Sequence, residues 1–106
     1  MNQRVNGLPE SVRIGPEVYD IVPTILADET EWGECDYRDK TISVDSRLGR
    51  YERQVTFFHE WFHVVARRAG WDALLPEETI EGLCDVIAYG LADLLYTGTL
   101  TLNVPD

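Results

Sequence analysis

His59 and His63, the only two histidines in the chain, stand four residues apart in His59-Glu60-Trp61-Phe62-His63. On an α-helix four residues advance by one turn and about 40° around the axis, so both imidazoles can converge on one ion. Glu60, about 100° from His59, falls beside that ion and outside its ligand set. Two neutral nitrogen donors with a carboxylate placed to take a proton from the attacking water form the equipment of a zinc hydrolase. Two randomly placed histidines would fall four apart in roughly 2 % of arrangements, and requiring Glu in the second position lowers this about tenfold. Two histidines at the edge of a packed helix, satisfied by backbone or carboxylate partners, are the weaker reading.

A helix must carry this motif, and the flanking residues supply one. Tyr51, Val55, Phe58, Phe62, Val65, Ala66 and Ala69 fall on one apolar arc of roughly 100°, with His59 and His63 on its border and Arg53, Arg67 and Arg68 beyond it. That border position suits a site at the floor of a cleft. Asp45 or Ser46 is the expected N-cap, and Gly70 the residue that ends the helix, with Arg67 and Arg68 complementing its C-terminal dipole.

A second helix is expected to start at Pro76, with Glu77 and Glu78 in its first turn, and to end at Gly98. Ile80, Leu83, Cys84, Ile87, Leu91 and Leu94 share its packing face. A hydrolytic zinc site has three protein ligands and one open position, so the third here is a carboxylate from this helix: Glu77, Glu78, Glu81 or Asp85. Glu81 flanks the packing face and is preferred. Asp85, one turn on, is placed to support a ligand from behind, and dipole complementation accounts for Glu77 and Glu78.

The elements before the motif read as short strands. Ser11 to Ile14 is closed by Gly15-Pro16, Val18 to Val22 is limited by Pro23, and Trp32 to Tyr37 with Thr41 to Asp45 forms an antiparallel hairpin. Ile42 and Val44 are expected inside, Thr41, Ser43 and Asp45 towards water or a cleft, and Gly33 at a bulge. Residues 1–10 read as a flexible arm, and Thr99 to Asp106 as an edge strand or a surface tail. The expected class is α+β: a small antiparallel sheet of about three strands on two helices, in one domain spanning residues 11–106.

A chain of 106 residues with 44 % apolar and 10 % aromatic content holds one globular core. Its formal charge of −10 argues against binding nucleic-acid phosphates or an anionic membrane. No run reaches the ~20 apolar residues of a membrane span and no signal-peptide core is present, so cytoplasm is the expected compartment. Cys35 and Cys84 form no C-x-x-C pair and read as free thiols.

The order of strand pair, His59-Glu60-x-x-His63 helix, short loop and second helix with a glutamate resembles the gluzincin metallopeptidases, in particular compact phage and bacterial members of the ImmA/IrrE type. The resemblance covers roughly residues 32 to 95, and its specific part is the five-residue motif. It implies a minimal zincin-like core and Zn2+ held by His59, His63 and a second-helix glutamate, best matched by Glu81 in Glu81-Gly82-Leu83-Cys84-Asp85. It further implies Glu60 as general base and an extended peptide bound along an exposed sheet edge. No third histidine follows the motif, which excludes the metzincin pattern. Tyr37, Tyr51, Tyr89 and Tyr96 are the available oxyanion donors, although each also reads as an ordinary core or surface aromatic.

The expected function is a zinc-dependent endopeptidase acting on a protein or peptide substrate, as a monomer or small homo-oligomer. A zinc-stabilised acidic interaction module with little or no hydrolysis is the alternative. A nucleic-acid mimic acting by charge alone has only the net charge behind it.

Overall fold

The computed structural model describes residues 4–104. Four strands, β1 (Ser11–Ile14), β2 (Glu17–Thr24), β3 (Gly33–Asp36) and β4 (Thr41–Asp45), precede helix α1 (Arg50–Arg68), a short 3-10 turn (Trp71–Ala73) and helix α2 (Glu77–Tyr96). The class is α+β, as expected. The sheet, however, has four strands in the order β1-β2-β4-β3 and is mixed, not wholly antiparallel.

Each hairpin follows from its turn. Gly15, at φ 61°, and Pro16 join β1 to β2 in the register Ile14↔Glu17. In the β3–β4 turn Asp36 Oδ1 accepts hydrogen bonds from the Arg38 and Asp39 amides, both at 2.9 Å. Between the hairpins the chain skips one strand position, so β3 lands on the sheet edge and β4 returns beside β2. The β2–β4 pairing is therefore parallel, from Asp20↔Thr41 to Thr24↔Asp45. Its register sets Ile21 against Ile42, which are 1 % and 0 % exposed, and a one-residue slip would turn one of those rows outward.

Pro23 lies inside β2 without breaking it. The Asp20 amide bonds to Lys40 O on the β4 side and the Ile21 amide to Glu10 O on the other side. By that alternation the missing N–H of Pro23 faces away from β4, where β1 has already ended.

Residues 4–10 are packed and not a free arm. Val5 and Leu8 are buried in the main core, and Glu10 extends the β1–β2 ladder through Ile21. Burying two such aliphatic side chains contributes about 1.5–3 kcal/mol each towards ordering this segment. The first three residues of the expected arm, and Pro105 in the tail, lie outside the described residues. The described tail forms no strand; Leu100 and Leu102 pack against the core.

Helix α1 begins later than expected. Gly49 is its N-cap, and the Gly49 amide donates to Glu52 Oε1 at 3.0 Å. Asp45, placed at the cap or towards water from the sequence, is 3 % exposed and engaged elsewhere. Its Oδ1 accepts from the amide and Nε of Arg47, each at 2.9 Å, and its Oδ2 from Arg47 Nη2 at 2.6 Å and the Leu26 amide at 3.3 Å. This pair anchors the segment between β2 and β3 to the end of β4. Gly70, at φ 81°, follows α1 in the left-handed conformation expected of it.

Both helices present faces rotated from the expected ones. Helix α1 lies between the sheet and α2, so it also buries Phe57 and Val64, whereas Phe62 and Val65 are half-buried and Ala69 is exposed. Helix α2 buries Ile80, Cys84, Ala88 and Ala92, while Ile87 and Leu94 are 37 % and 41 % exposed. Small residues at every fourth position let the two axes approach, and dispersion over that close contact outweighs burying larger side chains at a distance. No helix among the described residues is long and apolar enough to cross a membrane.

Candidate metal centre and cleft

The rotation of α2 carries two carboxylates to the histidines of α1. Glu81 Oε2 lies 3.0 Å from His59 Nε2, and Glu81 Oε1 lies 2.9 Å from His63 Nε2, so one carboxylate spans both imidazoles. The rings are 4.9 Å apart, one helical turn as the spacing requires. Asp85 Oδ1 is 2.9 Å from His59 Nδ1. A carboxylate anion only accepts, so that nitrogen carries a proton and donates it to Asp85, leaving Nε2 as the ligating atom.

This donor set fits zinc. Two Nε2 atoms and two carboxylate oxygens converge on one spot, and protons or a cation must lie between them. Counted by residue, His59, His63 and Glu81 are three ligands, the number a hydrolytic zinc site has. Among the expected candidates, Glu81 and Asp85 reach the histidines. Glu77 lines an adjoining recess, and Glu78 is exposed and touches neither cavity.

Cys84, expected as a free thiol on the packing face and as a ligand only should the four acidic candidates fail, also joins the cluster. Its Sγ and one nitrogen from each histidine lie within 4.8 Å of one another. Its position one turn after Glu81 is the signal that could have placed it there. It is fully buried, and burial, with Glu81 and Glu60 nearby, pushes its thiol up to about 12.

Glu60 is 8 % exposed and stands beside the histidines, its Oε2 4.0 Å from His59 Nε2. Burial raises its carboxyl above the usual carboxylate range, partly offset by His59 and His63. Gly33 makes this closeness possible. A Cβ there would run into the Thr56 methyl group and the Ser43 carbonyl, so only glycine lets β3 lie this near the Glu60 turn of α1. Gly33 pairs regularly with Val44.

The cleft above these groups has a volume of about 570 Å³, and edge strand β3 forms one wall through Gly33, Glu34 and Cys35. On that wall Cys35 and Tyr37 stand near Glu60, close enough to influence the titration of its carboxyl and of one another. Burial pushes the Cys35 thiol up to about 11, keeping it protonated. Of the four tyrosines considered as oxyanion donors, Tyr37 and Tyr89 line the cleft. Tyr51 is tied to Asp93 Oδ1 at 2.5 Å, and Tyr96 is 82 % exposed with its ring edge-on to Tyr51.

Comparison with family models, with characterised proteins and with solved structures found no match. Function is therefore argued from the site.

Proposed function

We propose that this chain is a zinc-dependent endopeptidase of the compact gluzincin kind, with His59, His63 and Glu81 holding the metal and Glu60 as general base. One observation carries the reading: both Nε2 atoms face a single carboxylate at 2.9–3.0 Å while a buried glutamate that holds neither ring stands beside them. Bound zinc would polarise the scissile carbonyl and acidify the attacking water.

The chain's own groups then have defined tasks. Glu60, with its carboxyl raised by burial, accepts the proton of the attacking water and passes it to the leaving amine. Cys35 stands beside that carboxylate on the cleft wall, and Asp85 holds the His59 ring. The outer edge of β3 offers main-chain groups to an extended peptide. Two unpaired cysteines suit a reducing compartment and support a cytoplasmic setting.

Metal analysis of protein purified without added metal, run beside the Glu60→Gln variant, tests the reading. Near-stoichiometric zinc in both, with peptide hydrolysis only in the wild type, is the expected result. A folded wild-type protein that takes up no zinc would overturn it.

A second reading has one observation in its favour. Cys84 is close enough to join two histidines and Glu81, and four protein donors would close the ion as in a structural site. The chain would then be a zinc-stabilised acidic interaction module. Cys84→Ala separates the two: a peptidase keeps its zinc, whereas a closed four-donor site loses it.

A further inference from the structure

We infer that the peptide taken by this cleft is cationic, with Lys or Arg residues on both sides of the bond presented to Glu60. The inference rests on the peptidase reading for the bond broken, but not for the ligand's charge.

Charge is unevenly distributed around the site. No Lys or Arg lines the main cleft or the recess that shares Tyr37, His63 and Glu81 with it. All nine Lys and Arg side chains precede residue 69, and two of those near Tyr37 are occupied. Arg67 stacks on the Tyr37 ring at 4.2 Å, and Lys40 pairs with Glu17 at 2.7 Å.

The carboxylates at the cleft are, by contrast, unspent. Glu31 and Glu34 lie along the β3 wall, and Asp72 and Glu77 line the recess at the other end. Each is exposed, and none has an ion pair or side-chain hydrogen bond among the described residues. Asp36 on the same strand is the contrasting case, its carboxylate satisfied by two turn amides. Between these acidic groups Glu60 lines the cleft at 8 % exposure, with no Lys or Arg at ion-pair distance among the described residues. The Trp32 and Tyr89 side chains also line the cleft and offer ring faces to cations. A neutral peptide leaves these carboxylates unused, and an acidic one is repelled by them.

Binding to the zinc-loaded Glu60→Gln protein tests this without consuming the ligand. Three labelled peptides, identical except for Lys, Ala or Glu at the positions flanking the central bond, are compared by fluorescence anisotropy. The Lys peptide should bind about tenfold more tightly than the Ala peptide at low salt, and high salt should remove the difference. Each exposed ion pair is worth roughly a 1.5- to 5-fold change, so Glu31→Gln with Glu34→Gln should weaken the Lys peptide and leave the Ala peptide unchanged. Asp72→Asn with Glu77→Gln should do the same from the other end. Equal affinity for the Lys and Ala peptides, or no effect of either double variant, overturns the inference. If wild-type holoprotein cleaves the Lys and Ala peptides equally well, the charge preference falls and the peptidase reading stands. If it cleaves neither yet binds the Lys peptide with these dependences, the cationic ligand stands and the peptidase reading falls.

Discussion

Asp85 accepts the Nδ1 proton of His59 at 2.9 Å, one turn along α2 from the Glu81 carboxylate that meets both Nε2 atoms. One helix thus supplies a ligand candidate and the group that sets the tautomer of another. Asp85→Ala should weaken zinc binding by about 10–100-fold. Glu81→Ala should weaken it further, and Glu78→Ala should leave it unchanged. Competition against a chromophoric chelator measures all three, and an unchanged Asp85→Ala affinity would refute the orienting role.

Glu60→Gln should retain fold and zinc while hydrolysis falls by about 10²–10⁴-fold, because a general base is lost and no ligand is removed. Steady-state kinetics on one peptide, with metal content measured on the same samples, decides it. Loss of zinc from this variant would reassign Glu60 as a ligand.

Asp45 and Arg47 make acid stability a further test. The Arg47 guanidinium and amide hold the buried Asp45 carboxyl well below the usual carboxylate range. Near pH 4 the unfolded chain therefore binds more protons than the folded one, so this contribution is complete above about pH 4 and is lost as pH falls below it. Urea midpoints measured from about pH 6 down to pH 2 should drop less steeply for Asp45→Asn than for the wild type. Parallel slopes would show that the pair contributes nothing to acid stability.

Gly33→Ala forces a methyl group against the Thr56 side chain and the Ser43 carbonyl. Displacing β3 from α1 should cost about 1–3 kcal/mol and lower activity with it. Gly90→Ala is the control: a Cβ there meets nothing within 4 Å, and ending a glycine's backbone freedom inside α2 should add about 0.5–1 kcal/mol. Thermal denaturation of the two variants should move in opposite directions.

Much of the candidate site was legible in the sequence. His59, Glu60 and His63 lie on one helix, whose geometry is local and repeats the same angle at every residue, so their spacing alone determines how they face. Turn chemistry at Gly15-Pro16 and Asp36, the alternation that put Ile42 and Val44 inside, and the α+β class are local in the same sense. What tertiary structure decided is everything that depends on a distant partner. The parallel β2–β4 pair arose from a strand skipped in space, Val5 and Leu8 were recruited by a core that their own segment does not announce, and Asp45 was turned inward by Arg47 and Leu26. Helix α2 shows why most directly. Ala88 and Ala92 carry little hydrophobic signal, so periodicity favoured the larger Ile87 and Leu94; close packing against α1 chose the small residues instead, and that choice selected Glu81 and Asp85 from the four acidic candidates and brought Cys84 beside the histidines.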